Sequence, residues 1–272
     1  MSDVPGVAPF LDPSIDKTAQ VMADAARKAI LPHFRALTLT ADTKETDRYD
    51  PVTEADRAAE RAMRAVLADL RPQDAILGEE YGAKEGTSGL TWVLDPIDGT
   101  RGFVSGSPTW GVLIALSDET GPIYGMIDQP YIGERFVGMA GRAHLHGPSG
   151  RHALRTRAPR DLSEATVMTT FPEVGTADDA RAFHAVASAA KLTRYGMDCY
   201  AYALVAAGQI DLVIEAGLQP YDIQAPIALI EAAGGIVTDW EGGPAHHGGR
   251  ALAAANREVH AQALARLRSA LS

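Results

Sequence analysis

The sequence predicts a two-part α+β/α/β protein, with an α+β half over residues 1–145 and an α/β half over residues 146–272. Three observations carry that expectation. Helical apolar spacing opens the chain, short apolar strands separated by glycine-containing turns follow it, and beyond a basic tract strands alternate with helices. The tract, Gly141–Leu162, holds His144, Arg151, Arg155, Arg157 and Arg160 and is read as the seam between the halves.

Taken in order, Ile15–Phe34 carries apolar residues at helical spacing, with Ser14 as the expected N-cap. A second helix is expected from Thr53, where Thr53-Glu54-Ala55-Asp56 has the form of a capping box with Asp in place of Glu, to about Leu70. The segment between them, Ala41–Pro51, is polar and irregular. Strands are expected at Ala75–Gly78, Thr91–Asp95, Trp110–Ser117, Pro122–Asp128 and Glu134–Met139, forming an antiparallel sheet flanked by helices. In the second half the expected strands are Ala165–Thr170, Gln209–Glu215, Gly235–Asp239 and Ala251–Ala254. The helices between and after them fall near Ala177–Ala190, Asp198–Ala207, Asp222–Ala233 and Arg257–Ser269.

Composition narrows the function classes. A formal charge of −10 lacks the clustered Lys and Arg of a nucleic-acid surface. No stretch approaches the roughly 20 apolar residues of a membrane span, and Met1–Pro13 has no basic segment leading into an apolar run. The single cysteine, Cys199, provides no intrachain disulfide and suits a reducing cytoplasm.

The most informative segment is Trp92-Val93-Leu94-Asp95-Pro96-Ile97-Asp98-Gly99-Thr100. An apolar strand delivers Asp95, and Pro96 interrupts the ladder because it has no N–H. Asp98 can then turn back toward Asp95, while Gly99 and Thr100 present bare amides suited to a phosphate. Two hard carboxylates beside such amides point to Mg²⁺ and a phosphate ester. The alternative is a pair of ordinary loop acids. Three more acids sit at the edges of apolar segments: Glu79 and Glu80 after Ala75–Gly78, and Asp222 at the start of an apolar helix, where it could serve as an N-cap.

In sequence order, Asp50-Pro51-Val52-Thr53-Glu54-Ala55-Asp56, Gly78-Glu79-Glu80-Tyr81-Gly82, Trp92–Thr100 and Pro220-Tyr221-Asp222-Ile223 resemble the inositol monophosphatase superfamily of Mg²⁺-dependent phosphatases. The resemblance covers nearly the whole chain and implies a layered α-β-α-β-α sandwich, a homodimer and two or three Mg²⁺ ions per site. It implies metal ligands at Glu79, Asp95, Asp98 and Asp222 and the carbonyl of Ile97, with Glu80 outside the first coordination sphere. Glu79 would orient or deprotonate water, Thr100 hydrogen-bonded to Asp56 would assist, and the Gly99 and Thr100 amides would hold phosphate. Lys44 corresponds to a basic residue near the family's first metal loop, at altered spacing.

Asp98–Gly111 resembles the histidinol-phosphate phosphatase branch, with Arg101-Gly102-Phe103 where inositol phosphatases more often carry Thr-Asn-Phe. Ile127-Asp128-Gln129-Pro130, Gly196–Tyr202 and Asp211–Asp222 point the same way. Substrate contacts are expected at Arg101, Asp198 and Glu215, the two acids pairing with the ammonium and imidazole of L-histidinol phosphate. Asp198 can equally be a helix cap. Tyr200 and Tyr202 fall on different helix faces, so one of them at most should face substrate. The competing readings are an inositol-1-monophosphatase, a phosphatase of other small sugar or nucleotide phosphates, and a catalytically silent metal-binding relative.

Overall fold

The computed structural model describes residues 12–37, 39–43 and 51–272. Helix α1 (Pro13–Ile30) buries Ile15, Ala19, Met22, Ala23, Ala26 and Ile30, a single apolar stripe. Its cap is Asp12, whose carboxylate accepts from the Ser14 amide at 2.9 Å, so Ser14 lies inside the helix. The helix also stops before the expected Phe34, because Pro32 cannot donate the next helical hydrogen bond. Helix α2 (Glu54–Leu70) begins as expected, with Thr53 as cap and Asp56 closing the capping box. Ahead of it, β1 (Asp42–Thr43) and β2 (Pro51–Val52) form a small antiparallel pair.

Eight strands form the first sheet: β3 (Ala75–Gly78), β4 (Gly82–Lys84), β5 (Thr91–Asp98), β6 (Gly111–Asp118), β7 (Gly121–Gln129), β8 (Glu134–Met139), β9 (Arg142–Gly147) and β10 (Gly150–Ala153). Their spatial order is β10-β9-β8-β7-β6-β5-β3-β4, antiparallel except for the parallel pair β3 and β5. The basic tract read as a seam therefore carries a hairpin, and the division between Leu145 and His146 falls within β9. The hairpin escapes a pattern reading because its outward positions are His and Arg at a sheet edge, where polar residues are tolerated.

The second sheet has five strands, β11 (Thr166–Thr169), β12 (Leu192–Tyr195), β13 (Leu212–Leu218), β14 (Ile236–Thr238) and β15 (Gly249–Ala254), in the order β12-β11-β13-β15-β14. Helices α4 (Ala177–Ala187) and α7 (Arg257–Leu271) cover its outer face around Phe183, Val186, Trp240 and Leu267. Between the sheets lie α5 (Asp198–Ala206) and α6 (Pro220–Ala232). Their apolar residues, among them Cys199, Tyr202, Ile223 and Leu229, form one core with Val93, Leu113, Ile127 and Phe136 of the first sheet and Val213 and Ala253 of the second. Helices α1 and α2 close the first sheet's outer face. The layers are therefore α-β-α-β-α, as the resemblance implied.

The middle layer sits close. A Cβ on Gly125 of β7 would lie 2.2 Å from the Ala225 carbonyl oxygen, and one on Gly138 of β8 would lie 2.4 Å from the Leu229 Cα. Glycine at both places lets α6 press onto the sheet, which brings its N-terminus level with the end of β5.

Candidate active site

Residues three apart on a regular strand face opposite ways, yet Asp95 and Asp98 must converge to act together. The structure resolves this with a β-bulge. Asp95 pairs with Leu113 and Asp98 with Gly111, so three steps along β5 match two along β6 and both carboxylates return to the face that meets the middle layer. There, Asp222 projects from the first turn of α6, and one oxygen each of Asp95, Asp98 and Asp222 lies within 4.8 Å of the others. Asp222 is not the N-cap of its helix. Gln219 is, and its amide donates to Asp222 Oδ2 at 2.8 Å.

Glu79 completes the cluster from the end of β3, where its amide donates to the Leu94 carbonyl at 3.1 Å. Burial first, then Glu79, Asp98 and Asp222, push Asp95 well above the usual carboxylate range. Burial, Asp222 and Asp198 do the same to Asp98, opposed by the Cys199 amide donating to its Oδ2 at 2.6 Å. Four acids crowded at a partly dry floor repel one another, and a bound cation relieves that repulsion. The donors are all carboxylate or carbonyl oxygens, the set a hard divalent ion such as Mg²⁺ prefers. The residues therefore fit the metal that the resemblance implies.

Beyond the bulge, Gly99 takes φ 85°, and short helix α3 (Thr100–Val104) starts at once. A Cβ at Gly99 would come within 2.7 Å of the Asp198 side chain, so the turn needs glycine for both φ and space. The Thr100 hydroxyl lies 3.0 Å from the Ile97 carbonyl and 3.4 Å from Asp56 Oδ1. Asp56 is buried behind the cleft, its other oxygen taking the Thr53 amide and hydroxyl at 2.8 and 2.6 Å. Burial raises its pKa and the Thr53 bonds oppose the rise. It is thus a helix capper within reach of the Thr100 hydroxyl.

A cleft of about 790 Å³ lies over the cluster, lined by Glu79, Asp95, Ile97, Asp98, Gly99, Thr100, Arg101, Asp198, Glu215 and Asp222. The sequence-derived residues thus converge on one place, apart from Asp56 beneath it. Glu80 does not line the cleft, and Lys44 falls outside the described residues, as does Asp50. Arg101 stacks its guanidinium 4.9 Å from the Phe171 ring across the opening.

Two further acids stand in the wall of the cleft. Glu215 on β13 is buried, accepting the Thr170 amide at 2.6 Å and the Thr169 hydroxyl at 3.1 Å, and burial pushes its pKa up to about 7. Asp198 is pushed to about 6 by burial, eased by the Thr109 hydroxyl at 3.3 Å and by Arg101. It is not the helix cap that its position suggested. The cap position is Met197, and Asp198 is the first residue of α5, at φ 45°. A non-glycine residue in the left-handed region marks a constraint worth a functional reading.

Sequence reasoning missed Glu60. Fully buried on α2, it accepts Arg64 Nε and the Glu80 amide, each at 2.7 Å, and the Tyr81 amide at 3.2 Å, which anchors the turn that presents Glu79. A Glu on the apolar face of a predicted helix was the available signal.

The "Inositol monophosphatase family" model matches residues 12–272. A chloroplastic bifunctional phosphatase of Arabidopsis thaliana is 44% identical over 237 residues, 85% of this chain and 66% of that longer protein. A histidinol-phosphatase of Streptomyces coelicolor is 36% identical over 91% of this chain and 94% of its own length. The solved structure of an inositol monophosphatase from Zymomonas mobilis superposes with a TM-score of 0.82 at 37% identity, covering 95% of this chain and all of the other.

Proposed function

The chain belongs to the inositol monophosphatase family and is a phosphoric monoester hydrolase, and from that premise we propose that it is a Mg²⁺-dependent histidinol-phosphatase, releasing phosphate from L-histidinol phosphate. One observation carries the choice of substrate. Two acids, half-buried Asp198 and buried Glu215, stand in the wall of the cleft that holds the metal-suited cluster, with pKa values pushed to about 6 and 7. A substrate bearing ammonium and imidazole groups would favour their charged forms, as an uncharged polyol would not. Histidinol-phosphatases among the relatives support the same choice.

In this reading Glu79, Asp95, Asp98, Asp222 and the Ile97 carbonyl would hold Mg²⁺, which when bound would supply Lewis-acid polarisation of the phosphoryl oxygens and acidify water. Glu79 orients the attacking water and takes its proton. The Thr100 hydroxyl, between Asp56 and the Ile97 carbonyl, fixes that geometry, and the Gly99 and Thr100 amides donate to the phosphate. Arg101 covers the opening, while Asp198 and Glu215 hold the amine and the imidazole. A homodimer in the cytoplasm, which the family resemblance and the lone buried Cys199 favour, completes the proposal. No helix among the described residues is long and apolar enough to cross a membrane.

Inositol 1-phosphate is the second reading, supported by the Zymomonas mobilis structure and by the ability of Glu215 to accept a bond from a hydroxyl. Phosphate release from histidinol phosphate, inositol 1-phosphate and adenosine bisphosphate, with and without Mg²⁺, tests the choice. Histidinol phosphate should give the highest kcat/KM, and only with Mg²⁺. A higher value for either other substrate would remove the assignment.

A further inference from the structure

One large apolar ring stands uncovered in the cleft. Phe171, two residues beyond β11, is 39% exposed, and among the exposed large apolar side chains of the described residues it is the one that lines the cleft. The chain pins it in place. The preceding Thr170 amide donates to Glu215 at 2.6 Å, the Phe171 carbonyl accepts the Val174 amide at 3.2 Å, and Pro172 biases Phe171 toward extended backbone. The ring therefore stands one residue from the amide that Glu215 holds. A planar cation already lies over it, the guanidinium of Arg101 with its Cζ 4.9 Å from the ring centroid. Arg101 reaches it from α3, on the wall where Asp198 also leans, since a Cβ at Gly102 would lie 3.2 Å from Asp198 Oδ2. An aromatic face, a flat cation and two acids thus share one wall of the cleft.

We propose that Phe171 is a specificity-determining residue, its ring seating the substrate's imidazole beside Glu215 in the place that the Arg101 guanidinium holds in the free protein. Guanidinium and imidazolium are both flat, delocalised cations, and the negative face of an aromatic ring attracts either. The exchange therefore replaces one planar cation by another and leaves the charge balance of the wall unchanged. Arg101 can yield because its long side chain is held to α3 only through its Cα, whereas Phe171 is fixed by the backbone on both sides. A puckered, uncharged polyol gains neither stacking nor charge attraction from the ring. The inference rests on the histidinol phosphate reading and adds to it the group that tells imidazole from polyol.

The test is Phe171→Leu, which keeps an apolar side chain and removes the aromatic face, beside the conservative Phe171→Tyr. In Phe171→Leu the ratio of kcat/KM for histidinol phosphate to that for inositol 1-phosphate should fall about five- to tenfold, the scale of one half-exposed cation–π contact. The fall should come chiefly through KM for histidinol phosphate, because the ring is remote from the reacting phosphoryl group. Phe171→Tyr retains the face and should keep the ratio within about twofold of the unmodified protein. Arg101→Met vacates the ring, and L-histidinol should then bind about two- to fivefold more tightly by calorimetry, because no guanidinium has to be displaced. A ratio within about twofold of the unmodified protein in Phe171→Leu, or an equal fall in Phe171→Tyr, would overturn the proposal. So would L-histidinol that binds no more tightly to Arg101→Met. Failure of the unmodified protein to favour histidinol phosphate over inositol 1-phosphate would instead remove the substrate reading itself, and this proposal with it.

Discussion

Asp198→Asn should make the metal-free protein more stable at pH 8 and a poorer histidinol-phosphatase. Asp198 carries its charge in a half-buried site whose partial desolvation displaces its pKa from 3.8 to about 6. At 1.36 kcal/mol per pH unit, holding that charge at pH 8 costs the metal-free fold about 3 kcal/mol. The sign follows from linkage. The folded pKa lies above the unfolded one, so the stability is fully present below about pH 4 and is lost as pH rises through about 6. Asparagine does not titrate, and it tolerates the φ of 45° at this position better than most residues. Allowing for relaxation around the charge, a gain of about 1–2 kcal/mol and a Tm rise of about 2–4 °C are expected at pH 8. Little gain is expected at pH 4.5. Scanning calorimetry in EDTA at the two pH values measures this. The same variant should raise KM for histidinol phosphate about 10–100-fold through the lost charged hydrogen bond, with a far smaller change for inositol 1-phosphate. A Tm that falls at pH 8, a gain that persists at pH 4.5, or equal KM effects on both substrates would refute the reasoning.

Asp95→Asn removes the central member of the cluster and should lower phosphate release from every substrate by at least about 10³-fold, measured by stopped assays at millimolar Mg²⁺. Thr100→Val takes away the hydroxyl placed between Asp56 and the Ile97 carbonyl and should reduce kcat about 10–100-fold with little change in the circular dichroism melt. Glu60→Ala removes the acceptor of Arg64 Nε and of the amides of Glu80 and Tyr81. It should cost about 2–4 kcal/mol in urea unfolding and move the Mg²⁺ activation midpoint upward, because the turn presenting Glu79 loosens.

What the sequence made legible was whatever a short local rule encodes. The capping box at Thr53 and Asp56, the strands around β5 to β8 and the helices from α5 to α7 follow from periodicity and turn residues, to within a few residues at their ends. The hairpin β9–β10 was lost to its polar composition, and edge strand β12 (Leu192–Tyr195) was lost because it is only four residues long. In the site, Asp95 and Asp98 could be named from the strand that delivers them. The bulge that aligns them depends on β6 and is invisible along one strand. Asp198 and Asp222 both read as helix caps, the commonest use of Asp at a helix start. Only the three-dimensional setting shows that Gln219 caps α6 and that Asp198 leans against Gly99 instead. Glu60 acts through the amides of Glu80 and Tyr81, distant in sequence, and its place on the apolar face of α2 was the one local sign of it.

Anomalous scattering from crystals soaked in Mn²⁺, a stand-in for Mg²⁺ that can be located directly, tests the central claim most closely. Peaks are expected among Glu79, Asp95, Asp98, Asp222 and the Ile97 carbonyl, and they should vanish when Asp95 is asparagine. Peaks confined to surface histidines, or none among these acids while phosphate is still released, would contradict it.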